Sequence, residues 1–199
     1  GVFALDSDLT AHDNVAIGYN ALTTCTSGAS NTAVGKSALS SNSTAANNTA
    51  VGKDALSSST TAQNNTAVGL GALDTTTTGS DNVAVGTYSL DANTTGGSLV
   101  GVGYQALHRS TTGYNSTAVG REALAFMTTG HQNTAIGYTA LQSLTTGTQN
   151  VAVGNEALQK TTTATNNVAV GQHALEENTT ANNNVAIGAF ASDTSTTST

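Results

Sequence analysis

The segment Asn133-Thr134-Ala135-Ile136-Gly137-Tyr138-Thr139-Ala140-Leu141-Gln142-Ser143-Leu144-Thr145-Thr146-Gly147 returns 17 residues later as Asn150-Val151-Ala152-Val153-Gly154-Asn155-Glu156-Ala157-Leu158-Gln159-Lys160-Thr161-Thr162-Thr163-Ala164. The same spacing runs outward in both directions. Glycine stands at 1, 18, 35, 52, 69, 86, 103, 120, 137, 154, 171 and 188, with no insertion or deletion between them. With that glycine as position 1, position 4 is Ala except at Ser89, and position 5 is Leu except at Ser192. Position 10 is Thr except at Ser27, and position 11 is Gly or Ala except at Ser198. Position 14 is Asn in nine of eleven units, Leu99 and Ser116 being the exceptions. Position 15 is always Val or Thr, position 16 is Ala except at Gly101, and position 17 is always Val or Ile.

A period of 17 is too short for paired helices, which need roughly 33 residues, and for leucine-rich repeats, which need ~20–29. Thr-Thr-Gly and Asn runs are poor helix formers. The (Val/Thr)-Ala-(Val/Ile) run alternates β-branched with small residues, as a strand does. The glycine after it suits a corner with positive φ. The expected architecture is therefore all-β. A short strand, a Gly corner, a second short segment and an Asn/Gly corner make one coil of a parallel β-solenoid, or β-roll. Nearly twelve coils across residues 1–199, stacked ~4.8 Å apart, make a single rod roughly 55 Å long.

The composition agrees. The 199 residues include 9% charged and 4% aromatic residues, no Pro and no Trp, so a large core of interlocked rings is excluded. The net charge is −7, and the five Lys and Arg residues are scattered. Nucleic acid would require a basic stripe, so that partner is not expected. No run of ~18 apolar residues offers a membrane span. Cys25 is the single cysteine, which excludes an internal disulfide or a cysteine zinc cluster.

Within the strand, positions 15 and 17 share one face and position 16 takes the other. A column that admits only Ala or Gly, from Ala16 to Ala186, marks a close approach. Both faces are therefore expected to be covered, one by the coil interior and one by another surface. Apolar burial within so thin a coil falls short of the ordering cost, so side-by-side association is expected, most simply a homotrimer. Asn at position 14 and Thr at positions 9 and 10 are expected to stack into hydrogen-bonded ladders. Positions 2, 3, 6–8, 12 and 13 vary freely and read as exposed corners.

The motif carried by Asn133-Thr134-Ala135-Ile136-Gly137 and Asn184-Val185-Ala186-Ile187-Gly188 resembles the head repeats of trimeric autotransporter adhesins, the YadA-like family. Similar repeats occur in phage tail-fibre proteins. The resemblance covers essentially the whole chain. It implies a left-handed roll, three chains about one axis, exposure on a cell surface or virion, and a role in attachment to a glycan or protein receptor. Two departures stand out: the unit carries an added Thr-Thr-Gly corner, and no stalk, neck or anchor is present. The chain also begins and ends within a unit, which suggests a fragment of a longer polypeptide.

No catalytic, cofactor or metal constellation emerges, so no enzyme is expected. His12, His108, His131 and His173 occupy positions 12, 6, 12 and 3, with no metalloprotease or triad spacing. Gly101 and Gly103 imitate a nucleotide loop, but repeat phase explains them. Asp74 and Asp91 share position 6, bounded by Ser57 and His108, so no long carboxylate ladder forms. Tyr19, Tyr104 and Tyr138 share position 2, and Phe3, Tyr88 and Phe190 share position 3. Such rings could stack on sugars, although most lie several coils apart. The triplets Asn42-Ser43-Thr44 and Asn178-Thr179-Thr180 follow from composition. Two other readings remain beside the adhesive rod. One is a filament growing through uncapped strand edges. The other is an ice-binding face built on the Thr pairs, which adjacent rather than alternate spacing disfavours.

Overall fold

The computed structural model describes residues 1–7 and 10–192, and within them every element is a three-residue strand. These are β1 (Val15–Ile17), β2 (Thr32–Val34), β3 (Thr49–Val51), β4 (Thr66–Val68), β5 (Val83–Val85), β6 (Val100–Val102), β7 (Thr117–Val119), β8 (Thr134–Ile136), β9 (Val151–Val153), β10 (Val168–Val170) and β11 (Val185–Ile187). They form one parallel sheet of 11 strands in sequence order. Pairing is in strict register, Thr134 opposite Val151, Ala135 opposite Ala152 and Ile136 opposite Val153. The chain is thus a parallel β-solenoid with one 17-residue coil per strand. Ser198, in the twelfth unit, lies outside the described residues.

The second short segment of each coil is built of turns and bends among the described residues, apart from an isolated bridge between Tyr114 and His131. Those turns still bond coil to coil. Leu22 N–H donates to Ala38 C=O at 2.9 Å, and Ser37 N–H to Tyr19 C=O at 2.8 Å. Most coils hold non-glycine residues with positive φ at three positions, as at Glu156 (59°), Leu158 (53°) and Asn166 (58°). Such conformations cost ~1–2 kcal/mol each. Burial of the position-5 leucine and the inter-coil bonds hold them in place. The repeat glycine is explained twice over. Gly137 has φ 142°, and a Cβ there would lie 2.2 Å from the carbonyl oxygen of Gly154 in the next coil.

The burial pattern assigns the two faces of the strand. It is the coil's own interior that presses on position 16, and Ala33, Ala50, Ala67, Ala135 and Ala152 are fully buried there. Inside, they meet the position-4 alanines and the position-5 leucines, such as Leu141 and Leu158. The β-branched pairs at positions 15 and 17 face outward. The reason is space: with Leu in every coil, a 17-residue loop leaves room for only a methyl group across from it.

A correction concerns position 8. Its residues differ so widely that the sequence alone reads it as an exposed corner. Instead Cys25, Asn42, Ser59, Thr76, Asn93, Ser110, Met127, Leu144, Thr161 and Asn178 are all buried. The asparagines there serve as turn braces: Asn93 Oδ1 accepts from Gly96 N–H at 3.0 Å, while its Nδ2 donates to Gly96 C=O at 3.0 Å. Burial of Asn42 and Asn178 also removes those two triplets as exposed modification sites.

The Asn ladder at position 14 is present. Asn167 N–H donates to Asn150 Oδ1 at 3.0 Å, and Asn167 Nδ2 donates to Ala181 C=O at 2.9 Å. Ser116 substitutes with its hydroxyl, accepting from Asn133 N–H at 3.1 Å. At position 9, Thr94 Oγ1 donates to Thr111 C=O and Thr111 Oγ1 to Thr128 C=O, a hydroxyl ladder along one edge.

Candidate interaction face

The outward columns of the sheet run the length of the rod. Position 17 contributes Ile17, Val34, Val51, Val68, Val85, Val102, Val119, Ile136, Val153, Val170 and Ile187; position 15 adds Val or Thr. Neither column contains a charge. Parallel pairing spaces successive coils ~4.8 Å apart, so the stripe is about 50 Å long, with its two columns ~7 Å apart. Neighbouring β-branched side chains shield one another's flanks along the stripe. Val51 and Val85 are 37% and 36% exposed, whereas Val185 and Ile187, on the last strand, are 70% and 72% exposed. A continuous apolar stripe of this size is unusual on a free surface.

The threonine edge has a different character. Position 9 is half-buried and its hydroxyls are committed to the next coil, while position 10, including Thr95 and Thr146, is exposed. A single free hydroxyl column results, and the adjacent pair does not form a flat Thr-x-Thr face.

The aromatic residues are more closely assembled than their spacing suggested. Arg121, at position 2, lies between Tyr104 and Tyr138, its guanidinium carbon 5.5 and 6.0 Å from the two ring centroids. The cation thus bridges the two phenols along the rod axis, and both tyrosines remain exposed. Arg121 Nε also donates to Glu122 Oε1 at 3.0 Å, and Glu122 Oε2 accepts from Gln142 Nε2 at 2.6 Å. Tyr114 and His131 stack with centroids 4.6 Å apart. Phe3 meets Tyr19 edge-on at 6.1 Å.

Repeat phase brings titratable groups together in two places. At position 6, Ser57 Oγ donates to Asp74 Oδ1, and His108 Nδ1 lies 2.5 Å from Asp91 Oδ1. Burial pushes the Asp91 carboxyl above its ordinary range, against the opposing pull of His108. Near the end of the array, His173 Nδ1 lies 2.6 Å from Glu176 Oε2 and 3.3 Å from Glu156 Oε2. His12 is exposed beside Asp13, so the four histidines do not meet. Gly101 lies within β6 as the strand's inward residue, consistent with repeat phase rather than a nucleotide loop. Among the described residues no helix is long and apolar enough to cross a membrane. No family model, curated protein or solved structure matches this chain.

Proposed function

We propose that this chain is a non-enzymatic, extracellular attachment rod: a homotrimer whose three left-handed rolls pack their β-branched stripes about a common axis and leave the variable corners facing outward. The observation that carries this reading is the Val/Ile column at position 17, uninterrupted through all eleven strands and pointing out of the coil. A solvated sheet face normally mixes polar and charged residues into its outward positions. Burying such a stripe against copies of itself supplies the apolar contact that a thin coil lacks. The variable corners at positions 2, 3, 6, 7, 12 and 13 then carry any receptor contact, glycan or protein. The YadA-like and tail-fibre resemblance points to the same arrangement on a cell surface or virion.

Light scattering coupled to size exclusion tests the assembly. The expected mass at micromolar concentration is three chains, and Ile136→Lys with Val153→Lys reduces it to one while the β circular-dichroism signal persists. A monomeric wild type overturns the trimer. Beads carrying the rod, scored for retention on arrayed glycans and matrix proteins, test attachment; no retention reduces the role to a spacer. The filament reading rests on the open edges of β1 and β11, and electron microscopy separates it, since fibres rather than discrete rods would favour it.

A further inference from the structure

Position 3 of one coil lies beside positions 3 and 6 of the next, and in the coils beginning at Gly154 and Gly171 these places hold Glu156, His173 and Glu176. One ligand atom from each lies within 4.8 Å of the others. We propose that these three side chains form a surface site for a first-row divalent cation, Zn²⁺ being the best fit, that clips the two coils together.

The donor set is one imidazole and two carboxylates, which suits zinc and its neighbours rather than the all-oxygen shells of calcium or magnesium. With metal–ligand bonds of ~2.1 Å, tetrahedral ligand atoms stand ~3.4 Å apart. His173 Nδ1 and Glu156 Oε2 are already 3.3 Å apart, and Glu176 Oε2, now 2.6 Å from Nδ1, has to move outward by only about 0.8 Å to match the tetrahedral spacing. The backbone beneath is fixed by the stack: His173 N–H donates to Asn155 C=O at 2.9 Å and Glu156 N–H to Tyr138 C=O at 3.0 Å. Phe190, from the following coil, stacks on the imidazole with centroids 5.0 Å apart and shields one face of it. All three side chains are three-quarters or more buried, so the rotamer freedom lost on binding is small. Among the described residues the cation paired with the cluster, Lys160, lies 3.6 Å from Glu176 Oε1 and is also paired with Glu177, leaving Glu176 Oε2 directed at the imidazole. Among the described residues the other histidines lack such a set: His12 and His108 each face one carboxylate, and His131 stacks on Tyr114. All three ligands come from one chain, so the site does not depend on the trimer.

Calorimetric titration of the full chain with Zn²⁺ in a non-coordinating buffer near pH 7.5 tests the assignment, with Co²⁺ absorption reporting the ligand field. One ion per chain is expected. The repeat supplies mild variants, because glutamine already occupies position 3 at Gln105 and position 6 at Gln142 and Gln159. His173→Gln, Glu156→Gln and Glu176→Gln should each weaken binding at least tenfold, with the thermal unfolding of the metal-free protein little changed. His131→Gln should leave binding intact. Absence of saturable binding at 100-fold excess Zn²⁺, or binding that survives His173→Gln, overturns the site and leaves the cluster as an ion pair.

Discussion

Asp91 shows how a single residue departs from a repeat that otherwise protects its members. Column 6 is Thr, Ser, Ala or Gln in six of its twelve units, and at Asp91 it holds a half-buried carboxylate against His108. Burial raises its pKa, and His108 and the local backbone only partly counter this. The sign follows directly. An unfolded carboxyl loses its proton near pH 4, whereas the folded one holds it to higher pH. Below pH 4 both states are protonated and the group contributes nothing to the pH dependence. As pH rises through the folded pKa, the cost of the buried charge is increasingly felt and stability declines. Asp91→Asn removes that charge and keeps an amide beside His108. The variant is expected to melt above the wild type at pH 7 and to coincide with it below pH 4. An advantage that does not change with pH would show that ionisation of Asp91 is not its source.

At the scale of the strand, period and pairing were legible, but the direction of the side chains was not. Val-Ala-Val establishes that two residues face one way and one the other; it does not say which way is in. The usual rule buries the larger residues, and here it fails because Leu at position 5 already fills the coil, leaving the interior side of the strand space for Ala alone. Position 8 was illegible for a related reason. Met127, Ser110 and Asn93 share no chemistry, yet each fits the same enclosed space, the asparagine by bonding its own turn and the methionine by apolar contact. Variability normally marks exposure, but an enclosed position under a turn tolerates it too. The contrast within β8 is testable by thermal denaturation. Ala135→Leu inserts three carbons into the fully buried column and is expected to cost on the order of 1–3 kcal/mol or more. Thr134→Val, one residue away on the outer face, copies its neighbour Val151 and should shift stability by less than ~0.5 kcal/mol. If both changes prove equally mild, the assignment of inner and outer faces in β8 is wrong.

At the scale of the molecule, the Glu156–His173–Glu176 cluster and the Tyr104–Arg121–Tyr138 stack share one origin. Residues 17 apart, remote by ordinary local reasoning, become neighbours once the coils are stacked. Spacing along the chain alone could not show that a position-3 glutamate reaches a position-6 glutamate of the next coil, because that diagonal depends on how far each corner swings outward. The stacking itself makes a stronger demand. Every coil bonds only to the one before and the one after, so removing a whole coil should reconnect equivalent neighbours. Deletion of residues 35–51 joins Val34 to Gly52, places Asn65 over Asn31 in the ladder, and brings Ala67 opposite Ala33 in the sheet. The shortened chain is expected to fold, with its β signal intact and its unfolding enthalpy lower by about one coil in eleven. Deleting Gly35 alone should be far worse. A one-residue slip turns Ala50 of the next strand outward and Thr49 and Val51 into a space that holds only a methyl group, unless the corner absorbs the change. Calorimetry on the two deletions distinguishes a stack of equivalent units from a globular domain, in which losing 17 residues would do more damage than losing one.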